Sequence, residues 1–133
     1  MRNEEDLQKA VAQYLDLHPK TRGHWFHPPN EGQRHPAVGA KLKRLGMRAG
    51  LPDCMCFRSF RSMVVDETAL GRASSKMMSG LAIELKMPKN YPTPAQRQWH
   101  QTLRNCGWRV QVCRSLDEVM EVVEQCYGKT DER

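Results

Sequence analysis

Long apolar runs are missing from this 133-residue chain. No segment approaches the ~20 consecutive apolar residues that a membrane-spanning helix requires. The opening residues Asn3-Glu4-Glu5-Asp6 are polar and acidic, unlike a secretory leader. The expectation is a soluble cytoplasmic protein with no membrane partner. Cysteine falls short of a disulfide framework, since five is an odd number and the residues sit mostly in apolar runs without framework spacing. That suits reduced thiols. Acidic residues are scarce in the interior. They gather at the two ends, as Glu4, Glu5 and Asp6, then as Asp117, Glu118, Glu121, Glu124, Asp131 and Glu132. Internal repeats and linkers are absent too, so the length fits one domain over residues 1–133.

What the chain has is positive charge. Its 21 Lys and Arg exceed 15 Asp and Glu, for a net charge of +6. The excess lies in the interior, where Arg34, Lys41, Lys43, Arg44, Arg48, Arg72 and Lys76 fall among others. A basic balance favours an anionic partner, most often nucleic acid.

Periodicity and capping signals give a mixed order of elements. Leu7, Val11, Tyr14 and Leu15 form one helical stripe over residues 4–17, with Asn3 as cap and three acids in the first turn. His24 to His27 reads as a short strand stopped by Pro28-Pro29, and Asn30-Glu31-Gly32 as a turn. A basic helix is predicted from about Pro36 to Leu45, closed by Gly46. Cys54 to Phe57 and Leu81 to Met87 read as strands. Between them, Val64 and Val65 fit a strand or hairpin, while residues 66–80 are polar, small and basic and predict a long mobile loop. Thr93-Pro94-Ala95-Gln96 is a capping box opening a helix striped by Trp99, Leu103 and Cys106. Trp108 to Cys113 is a strand. Ser115-Leu116-Asp117-Glu118 opens a last helix that buries Val119, Val122 and Val123. Such an order implies an α/β domain, a central mixed sheet flanked by helices.

The chemistry sits at Pro52-Asp53 and Glu84-Leu85-Lys86. Alternate residues of a strand share a face, so Glu84 and Lys86 point together while Ile83 and Leu85 fill the core. If the strand after Asp53 pairs with the strand of Glu84, the two carboxylates approach closely enough to share a hard cation. Glu-x-Lys alone is more often a salt bridge, and Pro-Asp alone more often a turn. Two charges within an otherwise apolar strand are harder to explain that way, because burying them is costly.

Gly46 to Asp53, then Ile83-Glu84-Leu85-Lys86, then Thr93 to Gln96 together resemble the VRR-NUC (virus-type replication-repair nuclease) family of the restriction-endonuclease-like PD-(D/E)xK superfamily. Pro28 to Gly32 and Gly107 to Val110 resemble it as well, so the likeness covers nearly the whole chain in order. Glu84 lies 31 positions after Asp53, long for such a domain, and the excess falls in the segment near residues 66–80. The resemblance implies a PD-(D/E)xK fold and hydrolysis of phosphodiester bonds in DNA with Mg²⁺ or Mn²⁺. It implies Asp53, Glu84 and the Leu85 backbone carbonyl as metal ligands, Lys86 as the catalytic lysine, and Gln96 as a support for the site. It also implies a helix-borne acid acting through water, matched by Glu4, with Glu5 its neighbour. A homodimer acting on branched DNA such as a four-way (Holliday) junction in DNA repair, bacterial or phage-encoded, comes from the same resemblance. A general or flap-directed nuclease and a DNA-binding module without catalysis are the rivals.

Asn30, Arg34, Lys41, Lys43, Arg44, Arg48, Arg72 and Lys76 are candidate DNA contacts. His24-x-x-His27 with Cys54-x-Cys56 has ligand types for zinc, but alternation turns the cysteines away from Asp53 and into the core. His100, one turn after Gln96, could approach the site, but the surface reading is favoured. Trp25, Trp99 and Trp108 read as core or interface residues.

Overall fold

The computed structural model of the chain describes residues 3–29, 35–66 and 72–129. Ten elements follow one another: α1 (Glu4–Leu17), β1 (Trp25–Phe26), α2 (Pro36–Arg44), β2 (Cys54–Cys56), β3 (Phe60–Asp66), β4 (Arg72–Met78), β5 (Gly80–Leu85), α3 (Pro94–Asn105), β6 (Trp108–Cys113) and α4 (Leu116–Tyr127). Four strands make the main sheet in the order β1-β2-β5-β6. The first two pairings are antiparallel and β5–β6 is parallel, with α3 as the crossover. The sheet is thus mixed and flanked by helices, a restriction-endonuclease-like fold.

Its two faces are covered differently. Leu81, Ile83 and Leu85 of β5, with Cys54, Cys56 and Cys113, pack against Leu7, Val11 and Leu15 of α1 and Val119, Val122 and Val123 of α4. On the other face Met55, Ala82 and Val110 meet Leu103 of α3. Every residue of β5 is buried, so this strand runs through the centre of the molecule.

Local chemistry sets the helix starts. Asn3 accepts from the Asp6 backbone N–H at 2.8 Å to cap α1. Thr93 and Gln96 exchange both hydrogen bonds of a capping box, with Pro94 in the first turn. Ser115 caps α4, but the Glu118 carboxylate accepts from Arg114 N–H at 3.2 Å, reaching one residue further back than a capping box would.

Two expected boundaries move. Strand β1 keeps only Trp25 and Phe26 of the four residues from His24 to His27, since Pro28 and Pro29 have no N–H to continue the ladder. The long loop expected over residues 66–80 is a hairpin arm instead: Arg72–Met78 pairs with Phe60–Asp66 through seven antiparallel positions. Its sequence conceals this because backbone bonds across the two strands satisfy the ladder whatever side chains they carry. Exposed side chains such as Ser74, Ser75, Lys76 and Met77 lie along β4. The hairpin is anchored at its base, where Phe60 meets Tyr127 edge-on with ring centroids 5.4 Å apart. It is an excursion between β2 and β5, which are otherwise direct partners, and it accounts for the long spacing from Asp53 to Glu84.

Candidate active site

The register of β2 against β5 decides the site. Cys54 faces Ile83, and one further step of that antiparallel ladder sets Asp53 opposite Glu84. Asp53 Oδ2 accepts from the Leu85 backbone N–H at 2.7 Å, which fixes the carboxylate against β5. His27 Nδ1 lies 2.6 Å from the Asp53 carbonyl oxygen, so β1 braces the same residue from the other side. Sequence reasoning assigned His27 no such part.

Glu84 is sealed rather than lining an open cleft, with only 1% of its surface exposed. Burial, together with a hydrogen bond to Asp53 and the charge of that neighbour, pushes its carboxyl up from 4.5 to about 9, with Lys86 opposing the shift and Glu4 adding to it. The charges of Asp53, Lys86 and Glu4 thus all act on Glu84. Of the two acids at the start of α1, Glu4 enters this field, while the Glu5 carboxylate turns to Lys9 at 3.8 Å. Lys86 follows the last residue of β5, half-buried, and its backbone N–H donates to the Cys113 carbonyl at 3.0 Å, extending the sheet by one bond.

Helix α3 lies over this end of the sheet and supplies two partners. Gln96 Oε1 accepts from Thr93 N–H at 2.8 Å, closing the capping box, while its Nε2 makes a long 3.5 Å hydrogen bond to Glu84 Oε2. Gln96 thus closes the cap and reaches Glu84 at once. One turn on, His100 Nε2 sits 3.0 Å from Glu84 Oε1. His100 is 3% exposed, which corrects its reading as a surface residue. Burial first, then the charges of Arg104 and Lys86, lowers its pKa. Burial thus raises Glu84 and lowers His100, and both shifts favour the uncharged forms across this contact. The available signal was the four-residue step from Gln96, which puts both side chains on one helix face.

Gly50 holds the loop before Asp53 against α3. Its φ is +90°, and a Cβ there would lie 2.8 Å from the Ala95 carbonyl carbon. The loop meets the first turn of the helix backbone to backbone, which sets how far Asp53 stands from Gln96.

The basic candidates divide. Lys41, Lys43 and Arg44 lie exposed on α2, and Lys76 lies exposed on β4. Arg48 donates to the carbonyls of Lys43 and Met47, both at 3.0 Å, so part of its guanidinium closes the end of α2. The backbone of Arg72 begins β4. Asn30 and Arg34 lie outside the described residues. The histidines and cysteines of the zinc reading stay apart, for Cys54 and Cys56 are fully buried in the core while the ring nitrogens of His24 and His27 bond backbone carbonyls. Burial pushes the Cys54 and Cys113 thiols up to about 12, as expected of inert core thiols. Trp25 and Trp99 are half-buried.

This geometry, an aspartate and a glutamate facing across two central strands with a lysine two residues on, is that of the nuclease-type PD-(D/E)xK class. The chain belongs to the VRR-NUC domain family, whose model matches residues 2–117. A solved structure described as a VRR_NUC domain protein superposes with a TM-score of 0.68 at 23% identity, covering 97% of this chain and 96% of that one. That likeness speaks for the fold. No curated protein matches the chain.

Proposed function

We propose that this chain, over residues 1–133, is a Mg²⁺- or Mn²⁺-dependent endodeoxyribonuclease that acts as a homodimer on branched DNA. The observation that carries the metal reading is the pairing of Asp53 with Glu84. Two carboxylates set side by side, one sealed from water, hold a proton far above the usual range, through burial first and then through the neighbouring Asp53, against the opposing charge of Lys86. A divalent ion is the natural replacement for that proton.

The donor set fits such an ion. Among the described residues no three His, Cys, Asp or Glu side chains form a ready cluster. Asp53, Glu84 and the Leu85 backbone carbonyl are all oxygen donors, and two carboxylates suit a cation that keeps several waters and takes further oxygens from a substrate phosphate. When bound, the ion supplies charge neutralisation at the phosphate and acidifies a water. The chain's own residues do the rest. Asp53, locked by Leu85 N–H and braced by His27, sets the position of the phosphate. Gln96 and His100 hold both oxygens of Glu84 in one orientation. Lys86 offers its ammonium to the attacking water or to the charge growing on the phosphoryl oxygens. Glu4, whose charge reaches Glu84, would act through a water.

Branched DNA and the dimer rest on the family resemblance and on economy. One chain has one candidate site, whereas symmetric resolution of a four-way junction needs two cuts, which a C2 dimer supplies. The test is cleavage of a panel of duplex, flap, splayed-arm and four-way junction with Mg²⁺ and with Mn²⁺, alongside light scattering for size. A dimer that cuts junctions ahead of matched duplex is expected. A monomer cutting both equally would leave a general nuclease, and absence of cleavage with either ion would leave a binding module.

A further inference from the structure

The sheet face that carries Asp53 and Glu84 does not end at the site. Asp53, Met55 and Phe57 alternate onto that face, and Phe26 stands opposite Met55 in the β1–β2 register. Phe26 and Phe57 stack with centroids 5.5 Å apart and planes 20° from parallel. Phe57 in turn meets the Trp108 ring edge-on at 5.1 Å. Trp108 can lie there because Gly80 has no side chain, since a Cβ would come within 2.6 Å of the indole. Trp108 joins the buried cluster under α3, but the two phenylalanines stay open, 44% and 51% exposed. A rigid apolar platform is thus built on the site's own face and left uncovered.

Charge points to what covers it. The acids of the helices sit on α1 and α4, which pack on the opposite face. Neither α2 nor α3 has an acidic residue, and they bring Lys41, Lys43, Arg44, Arg97 and Arg104. Arg48 and Trp99 line one cavity, which links the end of α2 to α3 on the site's side. A polyanion therefore meets cations on the face of the platform and acids on the other.

We infer that Phe26 and Phe57 form a stacking platform for an unpaired base of the DNA strand held at Asp53 and Glu84. The four-residue step from Asp53 to Phe57 spans about 13 Å of extended chain. That is roughly four nucleotides of a stacked strand, and fewer once the strand is pulled out of the duplex. Aromatic faces accept any base, whereas blunt duplex has no base to offer, so the platform would favour DNA whose strands separate near the cut. This rests on the nuclease reading and deepens it by naming the strand state of the substrate.

The test is binding in chelator, so that it stands apart from cleavage. Fluorescence anisotropy compares wild type, Phe26→Ala, Phe57→Ala and Phe57→Tyr on splayed-arm DNA, single-stranded oligonucleotide and blunt duplex. Either alanine variant should weaken the first two by roughly 5- to 150-fold, the range for loss of one stacked base, and leave duplex unchanged. Phe57→Tyr should keep the affinity, which guards against a folding defect. A 2-aminopurine scan of one arm should find one or two quenched positions that brighten in Phe57→Ala. Equal loss on all three DNAs, no loss on any, or a change of oligomeric state in Phe57→Ala would overturn the platform, the last by showing that a second copy covers it. Absence of cleavage by the wild-type protein with either Mg²⁺ or Mn²⁺ would instead strike the nuclease reading, and the two outcomes are independent.

Discussion

Replacing Glu84 by Gln should abolish cleavage and, at alkaline pH without metal, make the protein more stable. The carboxyl of Glu84 keeps its proton to about pH 9 in the fold, against 4.5 ordinarily. Between those values the unfolded chain has released a proton that the folded chain retains. Stability from this group is therefore complete below pH 4.5 and falls as pH rises toward 9, by about 1.4 kcal/mol per pH unit. In the window between about pH 7 and about pH 8.5 it is the largest contribution, and the buried cysteines, also raised by burial, add a smaller loss near the upper end that is the same in wild type and variant. The pKa of His100 is lowered, and above the ordinary histidine value near 6.5 the imidazole is largely neutral in both states. Across that window wild type should lose up to about 2 kcal/mol, or roughly 6 to 10 °C in Tm for a chain of this size. In Glu84→Gln the amide would fill the same space uncharged, so most of the slope should vanish and only the smaller cysteine part remain. Thermal unfolding in chelator at the two pH values measures it. Added Mg²⁺ or Mn²⁺ should restore wild type at the higher pH and leave Glu84→Gln unmoved. A wild-type Tm that holds constant across the window, or a variant that is less stable than wild type at its upper end, would refute the claim that the two carboxylates share an unbalanced site.

Asp53→Asn should stop cleavage while DNA binding persists, because removing a carboxylate also removes repulsion from phosphate; near-normal turnover of the purified variant would sink the assignment. Lys86→Ala should lower the single-turnover rate with little change in affinity, and the reverse pattern would make Lys86 a phosphate anchor. His100→Ala leaves Glu84 Oε1 without its 3.0 Å partner and should cost about 1–3 kcal/mol of stability near neutral pH, readable by urea unfolding; an unchanged midpoint would mean that water replaces the imidazole freely. Gly50→Ala forces a side chain toward Ala95 at positive φ and should cost about 1–3 kcal/mol and slow cleavage by shifting Asp53; full activity with unaltered Tm would show that the loop position does not matter.

Local features were legible in the order of residues alone. Asn3, Thr93-Pro94 and Ser115 fix three helix starts because a capping side chain acts within three residues of itself, and each cap lies where the spacing puts it. That Glu84 and Lys86 share a strand face and that Gln96 closes a capping box were equally legible, since a sheet alternates with period two and a capping box has fixed spacing. How these residues meet was settled by the assembled fold. The β2–β5 register, set across an intervening hairpin of 60–78, places Asp53 opposite Glu84, and a slip of one residue would have turned each β2 side chain to the other face. The hairpin itself escaped the sequence because residues 74–77 of β4 are exposed and show no apolar alternation, while cross-strand backbone bonds define the pairing. The place of His100 was hidden for a related reason. A histidine on a helix faces solvent by default, and only a buried carboxylate beneath α3, itself put there by the sheet, makes the inward position the one with a hydrogen-bond partner.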